Sequence, residues 1–171
     1  MAVDLKPILR GVLSAASSAL IEAGVPTGRV ELTPGNLPAW DDCCEGQLYL
    51  RVIEIFPAAP FPQFDANQRG AAGALCAINM LDVHIGLGVI RCAHKIDDDL
   101  KAPTPEEVTG DGEEMVDDAM ILLNTILCDL KGIKGIMQMK LDRWAPQGVN
   151  GGCHGGEWGI HLAVDPCVQC P

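Results

Sequence analysis

The chain has 171 residues, with 12 Lys+Arg against 23 Asp+Glu and a formal net charge of -11. That length predicts one domain, 1–171, able to bury roughly 70% of the surface its unfolded form exposes, so its core needs neither metal nor disulfide. An acidic chain with three Trp, one Tyr and three Phe lacks the cations for non-specific phosphate binding and the rings for a base-stacking platform. At 48% hydrophobic and 20% charged it reads as globular rather than disordered. No apolar run reaches the ~18–20 residues that span a bilayer. The stretch Met1 to Leu9 lacks the basic, apolar and small-residue order of a signal peptide. The expectation is a soluble acidic domain made inside the cell.

In chain order, Leu5, Ile8, Leu9, Val12, Leu13, Ala16 and Leu20 recur at helical spacing, which predicts an amphipathic helix from Asp4 to Ala23. Asp4 can cap it, Pro7 is tolerated in its first turn, and Gly24 followed by Pro26 ends it. Arg29 to Leu32 is a short strand candidate and Gln47 to Phe56 a longer one, rich in branched aliphatic residues. The prolines from Pro57 to Pro62 predict a projecting loop. Leu81, Val83, Ile85, Leu87 and Val89 then alternate with Asp82, His84, Gly86 and Gly88, a strand with one apolar face and one polar or minimal face.

Ile96 to Gly112 is acidic and proline-punctuated and reads as a loop. A second helix follows, with Met115, Ala119, Leu122, Leu123, Ile126, Leu127 and Leu130 on one face and Glu113, Glu114, Asp117 and Asp118 in its first turns. Acids there suit the positive end of the helix dipole. Met137 to Leu141 and Trp158 to Val164 alternate as strands, joined by a Gly-rich connection from Trp144 to Gly156 that is too long for a tight hairpin. The order predicts an α+β fold: a small, mainly antiparallel sheet packed by two amphipathic helices.

Eight cysteines, Cys43, Cys44, Cys76, Cys92, Cys128, Cys153, Cys167 and Cys170, leave several chemistries open. Cys76, Cys92 and Cys128 lie in apolar stretches and read as buried thiols. Cys167 and Cys170 have the spacing of a zinc knuckle, and Cys153 with His154 could complete four ligands, although no second knuckle is present. Disulfides formed after release from the cell, including a staple between the C-terminal cysteines and Cys153, or plain free thiols, are the alternatives. A thiol-redox role fails on context, because the Cys-x-x-Cys pair opens no helix. The acidic run from Asp97 to Asp99 lacks the Gly and distal Glu of an EF-hand loop. His84, His94, His154 and His161 supply possible bases, but no nucleophile elbow, phosphate-binding lysine loop or zincin motif accompanies them. The expectation is a protein with no catalytic residues and no cofactor.

Three stretches carry a resemblance. Trp40-Asp41-Asp42-Cys43-Cys44-Glu45-Gly46-Gln47-Leu48, Gly88-Val89-Ile90-Arg91-Cys92 and Gly151-Gly152-Cys153-His154-Gly155-Gly156-Glu157-Trp158 are similar to head–tail junction proteins of long-tailed actinobacterial phages. The order of two helices with a small sheet resembles the tail terminator, or tail completion, family; stoppers of the same neck are mostly β-barrels and adaptors mostly helical. The resemblance implies a homo-oligomeric, hexameric ring that ends tail-tube growth. Its partners would be the major tail tube protein and the stopper or connector of the head, with DNA passing through unbound, no membrane, and a place in the virion. The loop aromatics Phe56, Phe61 and Phe64 among prolines, together with Trp144, read as an interaction surface, with rings folded back on the core as the alternative. An acidic ring wall would repel phosphate, and Asp97, Asp98, Asp99, Glu113 and Glu114 are the candidate lumen residues. A head-to-tail stopper within the same neck, and a small zinc module using Cys153, His154, Cys167 and Cys170, are the rival readings.

Overall fold

Periodicity decides the first helix. In α1 (Lys6–Glu22) the residues Ile8, Leu9, Val12, Leu13, Ala16 and Leu20 are all buried along one face. Asp4 Oδ1 accepts the Lys6 N–H at 3.0 Å, and Pro7 sits in the first turn, where its missing N–H has no intrahelical partner to lose. Gly24, at φ +77°, turns the chain out of the helix. The structure is a computed structural model and describes residues 4–34, 43–58, 61–62, 80–94 and 101–165.

The remaining described elements are β1 (Arg29–Thr33), a 3-10 turn (Cys43–Glu45), β2 (Gln47–Pro57), β3 (Leu81–Cys92), α2 (Pro105–Cys128), a second 3-10 turn (Leu130–Gly132), β4 (Ile136–Asn150) and β5 (Cys153–Val164). They form a single-domain α+β fold whose five strands lie in the order β1-β2-β3-β5-β4. β1 runs parallel to β2, and every other pairing is antiparallel. α1 lies over β1 and β2, α2 lies over β5, and the two helices touch. Leu48, Leu50, Val83, Ile85, Leu87, Val89, Ile160 and Leu162 on the covered face meet Val12, Leu20, Leu122 and Ile126 of the helices in one core. Each such fully buried aliphatic side chain contributes roughly 1.5–3 kcal/mol.

Two expectations about element length fail for identifiable reasons. The segment read as a loop up to Gly112 is already helical from Pro105. Thr104 Oγ1 accepts the Glu107 N–H at 3.2 Å while Glu107 Oε2 accepts the Thr104 N–H at 2.7 Å, a capping box before a Pro at N1. The acids at 113–118 therefore lie in mid-helix, and Glu106 and Glu107 hold the first turn. The core face of α2 is also narrower than expected: Asp111, Asp118 and Thr125 are buried on it, whereas Leu127 is exposed. The Gly-rich connection is likewise mostly strand. β4 and β5 extend until only Gly151 and Gly152 remain between them, both at positive φ (+61° and +83°), as a two-residue hairpin turn with both centres left-handed requires.

The cysteines differ from the sequence reading as well. Cys43 is bonded to Cys153 and Cys44 to Cys92, while Cys128 is an exposed free thiol on α2. Cys92 faces Cys153 across β3 and β5, so adjacent cysteines in the 3-10 turn clasp a cross-strand pair. Cys76, Cys167 and Cys170 lie outside the described residues.

Thr104→Ala removes one of the two reciprocal cap bonds and should lower stability by about 1 kcal/mol. A reduced urea midpoint with an unchanged slope is the expected reading; an unchanged midpoint would show that the helix does not depend on this cap.

Candidate functional site

The chemistry of the molecule is concentrated in three places, the first being the sheet face turned away from the helices. There Glu157 of β5 is 9% exposed at its side chain, so its charge needs partners. Arg51 of β2 provides two, with Nε donating to Glu157 Oε2 at 2.9 Å and Nη2 donating to Oε1. Tyr49 Oη donates to Oε2 at 3.2 Å and accepts from Gln147 Nε2 of β4 at 3.3 Å. Burial and the neighbouring Glu157 hold the Tyr49 phenol far above its ordinary pKa, so it acts only as a hydrogen-bonding group. Space for the cluster comes from absent side chains: a Cβ on Gly86 would lie 2.6 Å from Glu157 Oε2, and one on Gly88 2.5 Å from Tyr49 Oη.

Further along the same face, His84 and His161 stack at 4.1 Å between centroids and 11° between planes. His161 Nδ1 lies 2.9 Å from the fully buried carboxylate of Asp82, while His84 Nδ1 lies 3.5 Å from Glu54. Burial, followed by the nearby His161, lowers the pKa of His84. Burial raises that of Asp82 against the opposing pull of His161. Burial and the neighbouring His161 thus both disfavour a charge on His84.

The second place is where α2 crosses the ends of β3 and β5. Arg91 of β3 makes a bidentate pair with the buried Asp118 of α2, Nε donating to Oδ2 at 2.6 Å and Nη2 donating to Oδ1. Trp158 Nε1 donates to the Ala119 carbonyl at 2.8 Å, and Asp111 receives both the His94 N–H (3.0 Å) and a close contact with Nδ1 (2.7 Å). That hydrogen bond raises the pKa of the exposed His94 imidazole. Two clefts meet at His94: one of about 240 Å³ bordered by the Cys44–Cys92 bridge, Arg91 and Glu114, and one of about 170 Å³ bordered by Met115, Val149 and His154.

The third place is the pair of open sheet edges. β2 is covered by β1 from Gln47 to Arg51 and beyond that has no strand on this side among the described residues. β4 is the other edge among the described strands, with Met137 and Val149 exposed; Val30, Leu32 and Ile55 are exposed at the opposite side of the sheet.

The sequence-derived candidates fall across these places without converging. Cys153 is consumed by its bond to Cys43, so it presents no thiolate and does not staple a C-terminal cysteine. His154 is buried in β5, with Nε2 lacking a hydrogen-bond partner among the described residues. No group of three or more His, Cys, Asp or Glu among the described residues is arranged to hold a metal ion. Trp144 is half-buried against Trp158, 5.7 Å between rings, and packs on the core. Phe56 is half-buried at the end of β2 and Phe61 half-buried in a turn. Phe64, Asp97, Asp98 and Asp99 lie outside the described residues, and Glu113 and Glu114 are exposed on α2. The Arg51–Glu157 and Arg91–Asp118 pairs escaped the sequence reading; their signal was a charge flanked by apolar or glycine residues in β2, β3 and β5, and an acid on the apolar face of α2. Compared with protein-family models and with curated proteins, the chain matches none. No described helix is long and apolar enough to cross a membrane.

Arg51→Met leaves the Glu157 carboxylate buried without its cation and should cost about 3–5 kcal/mol in urea unfolding, far more than the loss of an exposed pair. The two perturbed histidines act on stability in opposite directions. A base whose folded pKa is raised adds stability that is complete below its ordinary value and is lost as pH rises through the raised one. A base whose folded pKa is lowered removes stability as pH falls below the ordinary value. His94→Asn should therefore cost more near pH ~5.5 than near pH ~8, and His84→Asn less, around the ordinary histidine value of ~6.5. Urea midpoints at the two pH values check this; equal costs at both would remove the two assignments.

Proposed function

We propose that the chain is a tail terminator, a structural subunit whose homo-oligomeric, hexameric ring caps the tail tube of a long-tailed phage and presents its other face to the head connector. One observation carries this reading. The fold is an open, mainly antiparallel sheet with both helices on one side, the helix–strand arrangement that the sequence resemblance implies for terminators. It is neither the β-barrel expected of a stopper nor the helical build expected of an adaptor. The support is fold-level analogy joined to three sequence stretches, and the function would reside in the surfaces that the fold displays.

Those surfaces suit assembly. Open edges on both sides of one sheet permit head-to-tail contacts, which close into a ring when the rotation between subunits divides a full turn. Glu113 and Glu114 project from α2, in a chain of net charge -11. An acidic wall of this kind would let DNA slide past without adhering. Two disulfides suit a part that functions outside the reducing cytosol, in the released virion.

Purified protein mixed with polymerising tail-tube protein should appear by electron microscopy as rings at one tube end, with elongation halted. Tubes that grow to unchanged length with bare ends would reject the terminator assignment, and binding to a portal–adaptor complex instead would establish the stopper role.

A further inference from the structure

We propose that the two open sides of the sheet are the complementary halves of one contact, in which β4 of one copy pairs antiparallel with β1 of the next. The proposal rests on the ring reading above and specifies how the ring would be built.

Strand direction comes first. β1 is parallel to β2, and three antiparallel steps lead through β3 and β5 to β4, so β4 runs opposite to β1. Rotating one copy onto the next about an axis along the strands preserves both strand direction and the side on which the helices lie. β4 then meets the neighbour's β1 in the antiparallel sense, the more stable pairing.

The side chains match on both faces. Register with Leu48 and Leu50 places Val30 and Leu32 on the helix side, where they are 44% and 45% exposed. Register with Leu162 and Ile160 places Met139 and Leu141 of β4 on that same side. Val116 and Met120 of α2 are also exposed, one and two turns beyond Gly112, which itself borders the cleft beside Val149. On the opposite face, Glu31 is aligned with Tyr49 and Lys140 with His161. The junction therefore brings aliphatic residues together under the helices and Lys140 toward Glu31 on the other face.

Charge selects the same partner. Lys131, Lys134, Lys140 and Arg143 are exposed around β4, make no ion pair among the described residues and outnumber the exposed Asp129 and Asp142 there, although the whole chain has only 12 Lys+Arg. The β1 side carries Glu31, Glu45 and Glu54 against Arg29, and Arg29 is already held by Glu31. A basic margin on an acidic protein attracts the acidic margin of another copy and repels its own kind. The edge is also limited in length. Pro146 has no N–H to give, and register shifts at Ile136/Gln138 and Leu141/Trp144 leave Gln138 to Leu141 as the regular stretch, close to the five residues of β1.

The test is oxidative cross-linking. Within one chain the two margins are four strand spacings apart, roughly 19 Å, whereas a disulfide spans Cα atoms no more than about 7 Å apart, so a bond between them must join two copies. In a background carrying Cys76→Ser, Cys128→Ser, Cys167→Ser and Cys170→Ser, Met139→Cys combined with Val30→Cys or with Leu32→Cys should give a ladder of 18.2 kDa multiples on a non-reducing denaturing gel, absent from each single variant. Adding Lys134→Glu, Lys140→Glu and Arg143→Glu should reduce the ladder about tenfold, equivalent to ~1.4 kcal/mol, with the urea midpoint of the uncross-linked chain retained. No ladder from either pairing, or a ladder indifferent to charge reversal, overturns the proposal. Repeating the reaction with tail-tube protein separates the two readings. Cross-linked rings beside freely growing tubes would keep this contact and reject the terminator role; capped tubes without a ladder would do the reverse.

Discussion

The carboxylate of Glu157 is the constraint around which the uncovered side of this sheet is organised. A buried ion costs several kcal/mol unless it is paired and fully hydrogen-bonded, and Glu157 draws both of its partners, Tyr49 and Arg51, from β2, with Gln147 of β4 linked through Tyr49. A fork of this kind ties β2 to β5 across β3, two strands that share no backbone bonds with each other. The glycines at 86 and 88 follow from it, because any side chain there would occupy the space of the cluster. The sheet is thus held in two ways at once, by aliphatic packing under the helices and by a polar lattice on the other face. Polar partners must be met one by one, so that second face fixes register more stringently than apolar packing alone.

The same logic recurs where α2 meets the sheet. Asp118 and Asp111 are on the buried side of the helix, where an aliphatic residue would ordinarily sit, and each is satisfied by a group from the end of β3 or the residues just after it, Arg91 or His94. These bonds set the helix at a fixed position along β3, while Trp158 fixes it from β5 through the Ala119 carbonyl. The clefts around His94 are the spaces left between these fixed points.

Much of this architecture could be read from the sequence because periodicity reports burial. α1 and β3 were legible in their apolar spacing, since each buries a single unbroken stripe. The first two turns of α2 were not, because Glu106, Glu107 and Gly110 expose a polar surface there and only the Thr104–Glu107 cap marks the start. β4 was half legible: bulges interrupt its alternation, and Pro146 and Gly148 resemble loop residues although an edge strand tolerates both. The cysteine pairing was beyond reach in principle, since eight cysteines admit 105 complete connectivities and nothing local distinguishes Cys43 from Cys44. The ion pairs link residues about 27 and 106 positions apart, distances over which a sequence pattern carries no geometric information.

One covalent feature has a mechanical meaning. The bond between Cys43 and Cys153 joins positions 110 residues apart, and the bond from Cys44 to Cys92 lies wholly inside that span. Tension applied at the two ends of the chain passes through sulfur and bypasses everything between. At ~3.3–3.6 Å of contour per residue, the oxidised chain can lengthen by roughly 360–400 Å less than the reduced one. β2, β3, α2 and β4 are removed from the load path, and only the segments outside the bridge, α1 and β1 on one side and β5 on the other, can be drawn out by force.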